Sequence, residues 1–277
     1  MPIHPIKDWD DAYANMPNIP AGESYPQRWA TAAADFRAQM EEAGRSELDI
    51  AYGERERQKY DLFLPPNSPA GVAIFVHGGY WMRFDKSSFS HLAAGPLARG
   101  HAVAMPAYSL CPNATIGEIG REVVQAIGAI ASRFDGPVRL IGHSAGGHLV
   151  TRAVCSDSRL SPDVVARIVH VMSVSGVHDL RPLLRLELNQ VLRLDLAQAR
   201  AESPALMEPL DALRVTCWAG AGERSEFVRQ NALLANVWRG LGAAIERVEE
   251  PDRHHFDVVD ALTDPQSPMV RRFFDEH

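Results

Sequence analysis

The chain has 277 residues, of which 46% are hydrophobic and 23% are charged, a composition typical of a folded globular protein that needs no disulfide or metal staple. Its formal net charge of −7 disfavours nucleic acid and anionic membrane surfaces as partners. The cysteines Cys111, Cys155 and Cys217 have no metal-ligand spacing and are predicted to be buried thiols. We see no signal-like amino-terminal segment and no apolar run long enough to span a bilayer, and we therefore expect a cytoplasmic protein.

Residues 1–47 are predicted to form a helical arm that packs on the main domain. Within Ser24–Gly44, apolar side chains recur every three or four residues, which is the period of an amphipathic helix. These side chains are Trp29, Ala33, Phe36 and Met40. The arm contains no motif with recognisable chemistry.

Residues 48–277 are predicted to form the main domain, which begins with two alternating strands, Leu48–Tyr52 and Gln58–Leu64. Further strands are predicted at Val72–Val76, His101–Met105, Val138–Ile141, Ile168–Val174, Arg214–Trp218 and Ala244–Val248. Helices are predicted near Ser88–Arg99, Ile116–Phe134, Ala145–Cys155, Glu226–Leu241 and Val270–Phe274. Short apolar strands that alternate with amphipathic helices predict an α/β fold, with a mostly parallel central sheet covered by helices on both faces.

The leucine-rich segment 180–209 interrupts this alternation. We interpret it as an excursion over the ends of the strands that forms a partial lid. The sequence leaves open whether this segment is a mobile lid or an interface, and a homodimer is one possibility.

The most informative stretch is Gly-His-Ser-Ala-Gly at residues 142–146, which fits the G-x-S-x-G nucleophile elbow. An apolar strand precedes it and a helical pattern follows it, as the motif requires. In such an elbow Ser144 would occupy a strained backbone conformation, with its hydroxyl raised at the positive end of the next helix. The alternative is a glycine-rich turn in which Ser144 only caps the helix.

A second glycine motif, His-Gly-Gly-Tyr-Trp at residues 77–81, directly follows a predicted apolar strand. Adjacent glycines let backbone N–H groups converge on an anion without hindrance from side chains. We therefore predict an oxyanion hole formed near Gly78 and Gly79 together with the N–H of Ala145, with His77 holding the loop by a hydrogen bond. A plain glycine turn is the alternative.

The catalytic base is predicted in the loop after the last strand, where two histidines compete. We favour His255 over His254 because the apolar Phe256 that follows it could anchor the loop. The predicted acid comes from the loop after the preceding strand. Glu223 at the apex of that loop is favoured over Glu226, which begins a helix and suits the helix dipole there.

Together with Tyr-Ser-Leu-Cys-Pro at residues 108–112, these motifs resemble the α/β-hydrolase superfamily and, within it, the kynurenine formamidase (arylformamidase) group. The resemblance extends over nearly the whole chain from about residue 48. It implies a serine hydrolase that cleaves the N-formyl amide of an aryl amine such as N-formylkynurenine, without a metal or organic cofactor. Tyr80 and Trp81 would then flank the aryl leaving group.

Three other functions are alternatives to this one. A broad short-chain carboxylesterase would use the same triad, and only the leaving-group pocket would distinguish it. A non-catalytic binding module on the same fold would be expected to lack one member of the triad, and all three are present here. A metallohydrolase is disfavoured because adjacent histidines point apart and no usual ligand spacing occurs.

Overall fold

The computed structural model describes residues 5–275 and is built around one eight-stranded sheet. Its strands are β1 Ser46–Ala51, β2 Lys59–Phe63, β3 Val72–Val76, β4 Ala102–Pro106, β5 Val138–His143, β6 Ile168–Val174, β7 Arg214–Gly220 and β8 Ala244–Glu250. Their spatial order is β1-β2-β4-β3-β5-β6-β7-β8. Strands β1 and β2 pair antiparallel to their neighbours, and the other six strands are parallel. The predicted mostly parallel sheet with an antiparallel start is confirmed.

Helices cover the sheet at most of the predicted positions and at some that were not predicted. They are α1 Trp9–Tyr13, α2 Tyr25–Glu42, α3 Ala94–Ala98, α4 Ile116–Ala131, α5 Ala145–Arg152, α6 Pro162–Val165, α7 Asn189–Leu192, α8 Leu196–Ala201, α9 Ser225–Gly240 and α10 Pro268–Phe274. The predicted helix at Ser88–Arg99 differs, because Lys86–Ala93 is a 3₁₀ helix and only α3 is α-helical. Pro96 lies near the start of α3 and has no backbone N–H to continue a helix from the preceding turn. No helix within residues 5–275 is long and apolar enough to cross a membrane.

The sheet separates two hydrophobic cores, and strand β3 shows how. Val72, Ile74 and Val76 pack into one cluster of buried residues, whereas Ala73 and Phe75 pack into the other. Successive side chains of a strand point to opposite faces, so a strand covered on both sides must be apolar throughout. The uniformly apolar strands that predicted the sheet therefore have both of their faces buried.

The amino-terminal arm packs against the sheet through α2, which contacts the 3₁₀ helix Lys86–Ala93. Trp29 and Met40 join the same core as Phe75, and Ala33 is also buried. Strand β1 begins at Ser46, so the arm ends two residues before the predicted boundary at residue 47. The predicted helix in the arm is confirmed.

Between β6 and β7, residues 180–209 form two 3₁₀ helices, Arg181–Arg185 and Pro204–Leu206, on either side of α7 and α8. Most leucines of this segment are buried in the core on that side of the sheet. They are Leu180, Leu183, Leu186, Leu192 and Leu194. The leucine-rich composition therefore reflects packing onto the body of the molecule.

Candidate active site

The candidate nucleophile lies in a sharp turn between β5 and α5. Ser144 has φ 56° and ψ −117°, which is a strained conformation for a residue with a side chain. Its backbone N–H donates to the Val174 carbonyl at 2.8 Å, which ties the turn to the end of β6. The elbow predicted from the sequence is therefore present in the structure.

The glycines on either side of Ser144 are required by close backbone contacts. A Cβ atom on Gly142 would lie 2.1 Å from the Gly146 carbonyl oxygen, and one on Gly146 would lie 1.9 Å from the Val76 carbonyl oxygen. Both distances are far inside van der Waals contact. Only glycine at these positions lets α5 begin directly against β3 and β5.

The predicted oxyanion loop passes beside the serine. A Cβ atom on Gly78 would lie 2.9 Å from the Ser144 Cβ atom, so the loop and the elbow are in direct contact. Gly79 has φ 112°, a conformation that favours glycine, and its carbonyl accepts hydrogen bonds from Met82 and Arg83 at 3.0 Å. The absence of a side chain at Gly78 thus lets the loop pack against Ser144, as an oxyanion loop requires.

His77 holds this loop, as expected. Its ring stacks on Tyr108 with centroids 4.4 Å apart, and its Nδ1–H donates to the Gly78 carbonyl at 2.7 Å. The Tyr108 hydroxyl donates to the His77 carbonyl at 2.8 Å. Burial lowers the pKa of His77 to about 4, so the ring is neutral at physiological pH and serves as a packing and hydrogen-bonding group.

Glu223 and His255 meet in the structure. Glu223 follows β7, His255 follows β8, and the Glu223 carboxylate lies 2.6 Å from His255 Nδ1. The other carboxylate oxygen accepts hydrogen bonds from the Ser175 hydroxyl at 2.5 Å and the Gly220 N–H at 2.8 Å. Burial alone would raise the pKa of Glu223, but His255, Ser175 and Gly220 hold that pKa below its usual value. The carboxylate is therefore charged and orients the imidazole.

Glu226, the competing acid, has other partners. Its carboxylate pairs with Arg229 at 2.7 and 2.8 Å and accepts a hydrogen bond from the Tyr13 hydroxyl at 3.0 Å. It lies in the first turn of α9, as the helix-dipole interpretation required. Its contact with Tyr13 also fastens the arm to α9.

The adjacent histidines His254 and His255 also have different partners. His254 contacts the Tyr25 hydroxyl through Nε2 at 3.1 Å, and its Nδ1 accepts the Phe256 N–H at 3.1 Å. The His255 side chain is 3% exposed and packs against Phe227, with ring centroids 4.4 Å apart. His254 therefore shapes the loop that presents His255.

His143 supports that loop from the opposite side. Its Nε2–H donates to the His255 carbonyl at 2.8 Å. Burial and the neighbouring His255 ring lower the pKa of His143 to about 3, so it is neutral. His143 therefore fixes the backbone of His255, and it also borders the cavity that Ser144 borders.

Ser144, His255, Gly78 and Gly79 border one cavity of about 390 Å³. Leu186 and other residues of segment 180–209 form part of its wall. The amino-terminal arm forms another part with Asp10, Tyr13, Ala14, Asn15, Met16, Pro17 and Trp29. Sequence reasoning missed this contribution, because the arm has no motif and its aromatic residue Trp29 looks like any core residue of a helix.

Tyr80 and Trp81 diverge, and the structure contradicts the expectation that Trp81 lines the substrate site. Tyr80 borders the cavity, and its hydroxyl donates to the Tyr13 carbonyl at 2.5 Å. Trp81 is fully buried, and its indole N–H donates to His148 Nδ1 at 3.3 Å. Both residues have positive φ angles, 51° and 57°, and this turn directs the second ring into the core.

The cysteines and a second groove lie outside this arrangement. The three cysteines are buried and free, as expected. Within residues 5–275, no group of three or more His, Cys, Asp or Glu side chains is arranged to hold a metal ion. A larger groove of about 1050 Å³ beside α4 is bordered by none of the candidate catalytic residues.

Comparison with known families shows the family to which the chain belongs. The model of the α/β hydrolase family matches residues 73–277, which include the elbow, the glycine loop, Glu223 and His255. The chain belongs to the α/β-hydrolase family. It is therefore a hydrolase, and the eight-stranded sheet is the sheet of that family.

The similarity of this α/β hydrolase to characterised relatives is moderate. It is 28% identical to a kynurenine formamidase from Danio rerio over 228 residues, which are 78% of this chain and 77% of the relative. It is 26% identical to a kynurenine formamidase from Drosophila melanogaster, over 82% of this chain and 77% of that protein. The resemblance stated from the motifs is thus confirmed over most of the chain.

A solved structure is more similar still. This α/β hydrolase is 46% identical to a candidate thioesterase from a Silicibacter species, with a TM-score of 0.92. The match covers 97% of this chain and 99% of that protein, so it includes the amino-terminal arm.

Proposed function

We propose that this hydrolase cleaves the N-formyl group of an aryl formamide such as N-formylkynurenine, releasing formate and the aryl amine. The observation that carries the proposal is the buried Glu223–His255 pair beside the cavity that Ser144 also borders. Similarity to kynurenine formamidases over about three quarters of the chain supports a formamide among the possible acyl substrates.

In the proposed reaction, His255 takes the proton of the Ser144 hydroxyl as its oxygen attacks the formyl carbon. Glu223 keeps the imidazole oriented and stabilises the positive charge that develops on it. Collapse of the tetrahedral intermediate breaks the C–N bond, and His255 gives its proton to the departing amine. Water then attacks the formyl-serine by the same route and releases formate.

The negative charge of the intermediate is assigned to the oxyanion loop. In this proposal the backbone N–H groups near Gly79 and at Ala145 donate to the developing oxyanion, and the close contact of Gly78 with Ser144 supports it. One such donor stabilises a transition state by about 3 kcal/mol. The close packing of Gly78 on Ser144 also suits a formyl carbon, which carries only hydrogen in place of a larger acyl chain.

The leaving group is assigned to the aromatic side of the cavity. Trp29, Phe84 and Phe256 border it and form part of one aromatic cluster, with Trp29 ring centroids 5.9 Å from Phe84 and 5.2 Å from Phe256. Tyr80 borders the same cavity. An aryl ring buries favourably against such rings. Trp81 is left out of this site because it lies in the core.

A second candidate is hydrolysis of a short-chain ester or thioester by the same residues. The observation that favours it is the 46% identity to the candidate thioesterase over nearly the whole chain. Both reactions pass through an acyl-serine, so the leaving-group pocket distinguishes them.

The test is a comparison of kcat/KM on the purified protein for N-formylkynurenine, a nitrophenyl acetate and a short acyl thioester. This ratio reports differential binding of the transition states. We expect the formamide to be preferred by at least about 100-fold. Preference for the ester or the thioester would overturn the formamidase proposal and leave the hydrolase.

A further inference from the structure

Two polar side chains in the wall of the cavity have no hydrogen-bond partner. Both amide atoms of Asn15 and the indole N–H of Trp29 are buried and unpaired among the residues that the structure describes. Asn15 is 5% exposed and Trp29 is 4% exposed, and both border the cavity that holds Ser144 and His255. A buried polar group without a partner destabilises the folded protein, so such groups in a native structure require an explanation.

Loose structure in the arm does not explain Asn15. It directly precedes the 3₁₀ helix Met16–Asn18, yet its side chain makes no capping hydrogen bond. The residues around it are well anchored, since the Tyr13 carbonyl accepts from Tyr80 and the Asn18 amide donates to Asp11 and Ala14. The arm is thus held on both sides of an asparagine that has no partner of its own.

The chemistry of the two side chains indicates what would pair with them. Asn15 offers an amide N–H₂ donor and a carbonyl acceptor, and Trp29 offers one N–H donor. An aryl formamide with a carbonyl group next to its formamide carries the complement, namely a carbonyl oxygen acceptor and an amide N–H donor. A plain aryl formamide or a simple aryl ester lacks the neighbouring carbonyl.

We propose that Asn15, together with the Trp29 N–H, binds the polar substituent on the leaving part of the substrate and so determines substrate specificity. The inference rests on the proposed function, because it assigns part of the same cavity. The arm thereby becomes a part of the substrate site. Its helix α2 and the turn before it present these two groups opposite the catalytic loops.

The experiment compares the ratio of kcat/KM for N-formylkynurenine to kcat/KM for formanilide, which lacks the neighbouring carbonyl. Asn15→Leu keeps the branched shape and the number of heavy atoms of the side chain and removes its hydrogen-bonding groups, and it should lower this ratio about tenfold, mainly through KM. Its Tm should be unchanged or higher, because an unpaired buried amide is replaced by an apolar group. Asn18→Ala is the matched control in the same turn, and it should lower Tm without changing the ratio.

An unchanged ratio in Asn15→Leu would overturn the inference. This includes an equal loss of kcat/KM on both substrates, which with a lower Tm would indicate a structural role only. Trp29→Phe keeps an aromatic ring and should lower the ratio in the same direction. If the wild type cleaves neither formamide, the proposed function fails by itself. The Asn15 assignment is then decided by the same ratio for 2-acetylphenyl acetate and phenyl acetate.

Discussion

The two sides of the candidate active site are built differently. On the side of the sheet, Glu223, His255 and His143 each have hydrogen-bond partners within the protein. On the side of the amino-terminal arm, Asn15 and Trp29 border the same cavity with polar atoms that have no partner within residues 5–275. The three residues on the side of the sheet are thus paired within the protein, whereas Asn15 and Trp29 on the arm side have polar atoms that a ligand would pair under the proposal above.

This difference indicates a division of labour. Groups that must keep one geometry throughout a reaction are held by further hydrogen bonds, as Ser175 and Gly220 hold Glu223. Groups that recognise a substrate can instead stay unpaired until it binds, and this costs stability in its absence. Substitutions of Glu223 or His255 on the side of the sheet should therefore abolish all activities together. Substitutions on the side of the amino-terminal arm should alter the choice among substrates.

The largest effect is expected for Ser144→Ala. Removal of the proposed nucleophile should lower kcat by at least about 10⁴-fold on formamide and ester alike, because both reactions pass through the same acyl-serine in the proposed mechanism. Tm should not fall, since loss of the hydroxyl removes no packing. Steady-state kinetics and a thermal melt test this prediction, and near-wild-type turnover on either substrate would contradict it.

Glu223→Gln and Glu226→Gln provide the sharpest comparison of neighbouring carboxylates. Glu223→Gln removes the charge that orients His255 and should lower kcat by about 10³- to 10⁴-fold. Glu226→Gln should lower kcat/KM less than about tenfold and lower Tm, because Arg229 and Tyr13 lose a buried charged partner. The reverse order of kcat losses would assign the acid to Glu226.

Tyr80 and Trp81 test the boundary between the cavity and the core. Trp81→Phe should lower Tm by several degrees, because it leaves a space in the core and removes the donor to His148. It should not change the ratio of formamide to ester hydrolysis. Tyr80→Phe removes the hydrogen bond to the Tyr13 carbonyl and should raise KM severalfold for the formamide. A change of the ratio of formamide to ester hydrolysis in Trp81→Phe would indicate that Trp81 does contact the substrate.

The smallest effect is expected at Asp260, which lies shortly after His255, the proposed catalytic histidine. Burial and the neighbouring Asp257 raise the pKa of Asp260 from 3.8 to about 6. Between these two values the folded protein binds more protons than the unfolded chain, so this group lowers stability as the pH rises from 3.8 to 6. Asp260→Asn should therefore raise Tm at pH 7.5 and leave it unchanged near pH 3.5. Equal melting shifts at both pH values would contradict this assignment.

The residues on the side of the sheet were predictable from the sequence as neighbours, because each of them has a local signature. The Gly-x-Ser-x-Gly turn and the pair of glycines each follow an apolar strand, the histidine follows the last strand, and parallel strands bring their carboxyl ends to one edge. The preference for Glu223 and for His255 followed from loop position alone, and the structure pairs these two residues.

The arm side was not predictable, because its role depends on how α2 and the turn before it dock. Nothing in the spacing around Asn15 distinguishes it from a surface residue, and the arm comes close to Ser144 only after the whole sheet has formed. The prediction that Trp81 lines the substrate site was wrong for a related reason. The sequence places it beside Tyr80, but the positive φ angles that separate the two rings depend on the folded loop.

The most direct test of the account is to react the wild-type protein with a fluorophosphonate and map the modified peptide by mass spectrometry. We predict one adduct per chain, on Ser144, formed more slowly in the presence of N-formylkynurenine and absent in Ser144→Ala. Slower modification of Glu223→Gln than of Glu226→Gln would connect the adduct to the buried acid–base pair. An unmodified Ser144, or an adduct on another residue in an active preparation, would contradict the account.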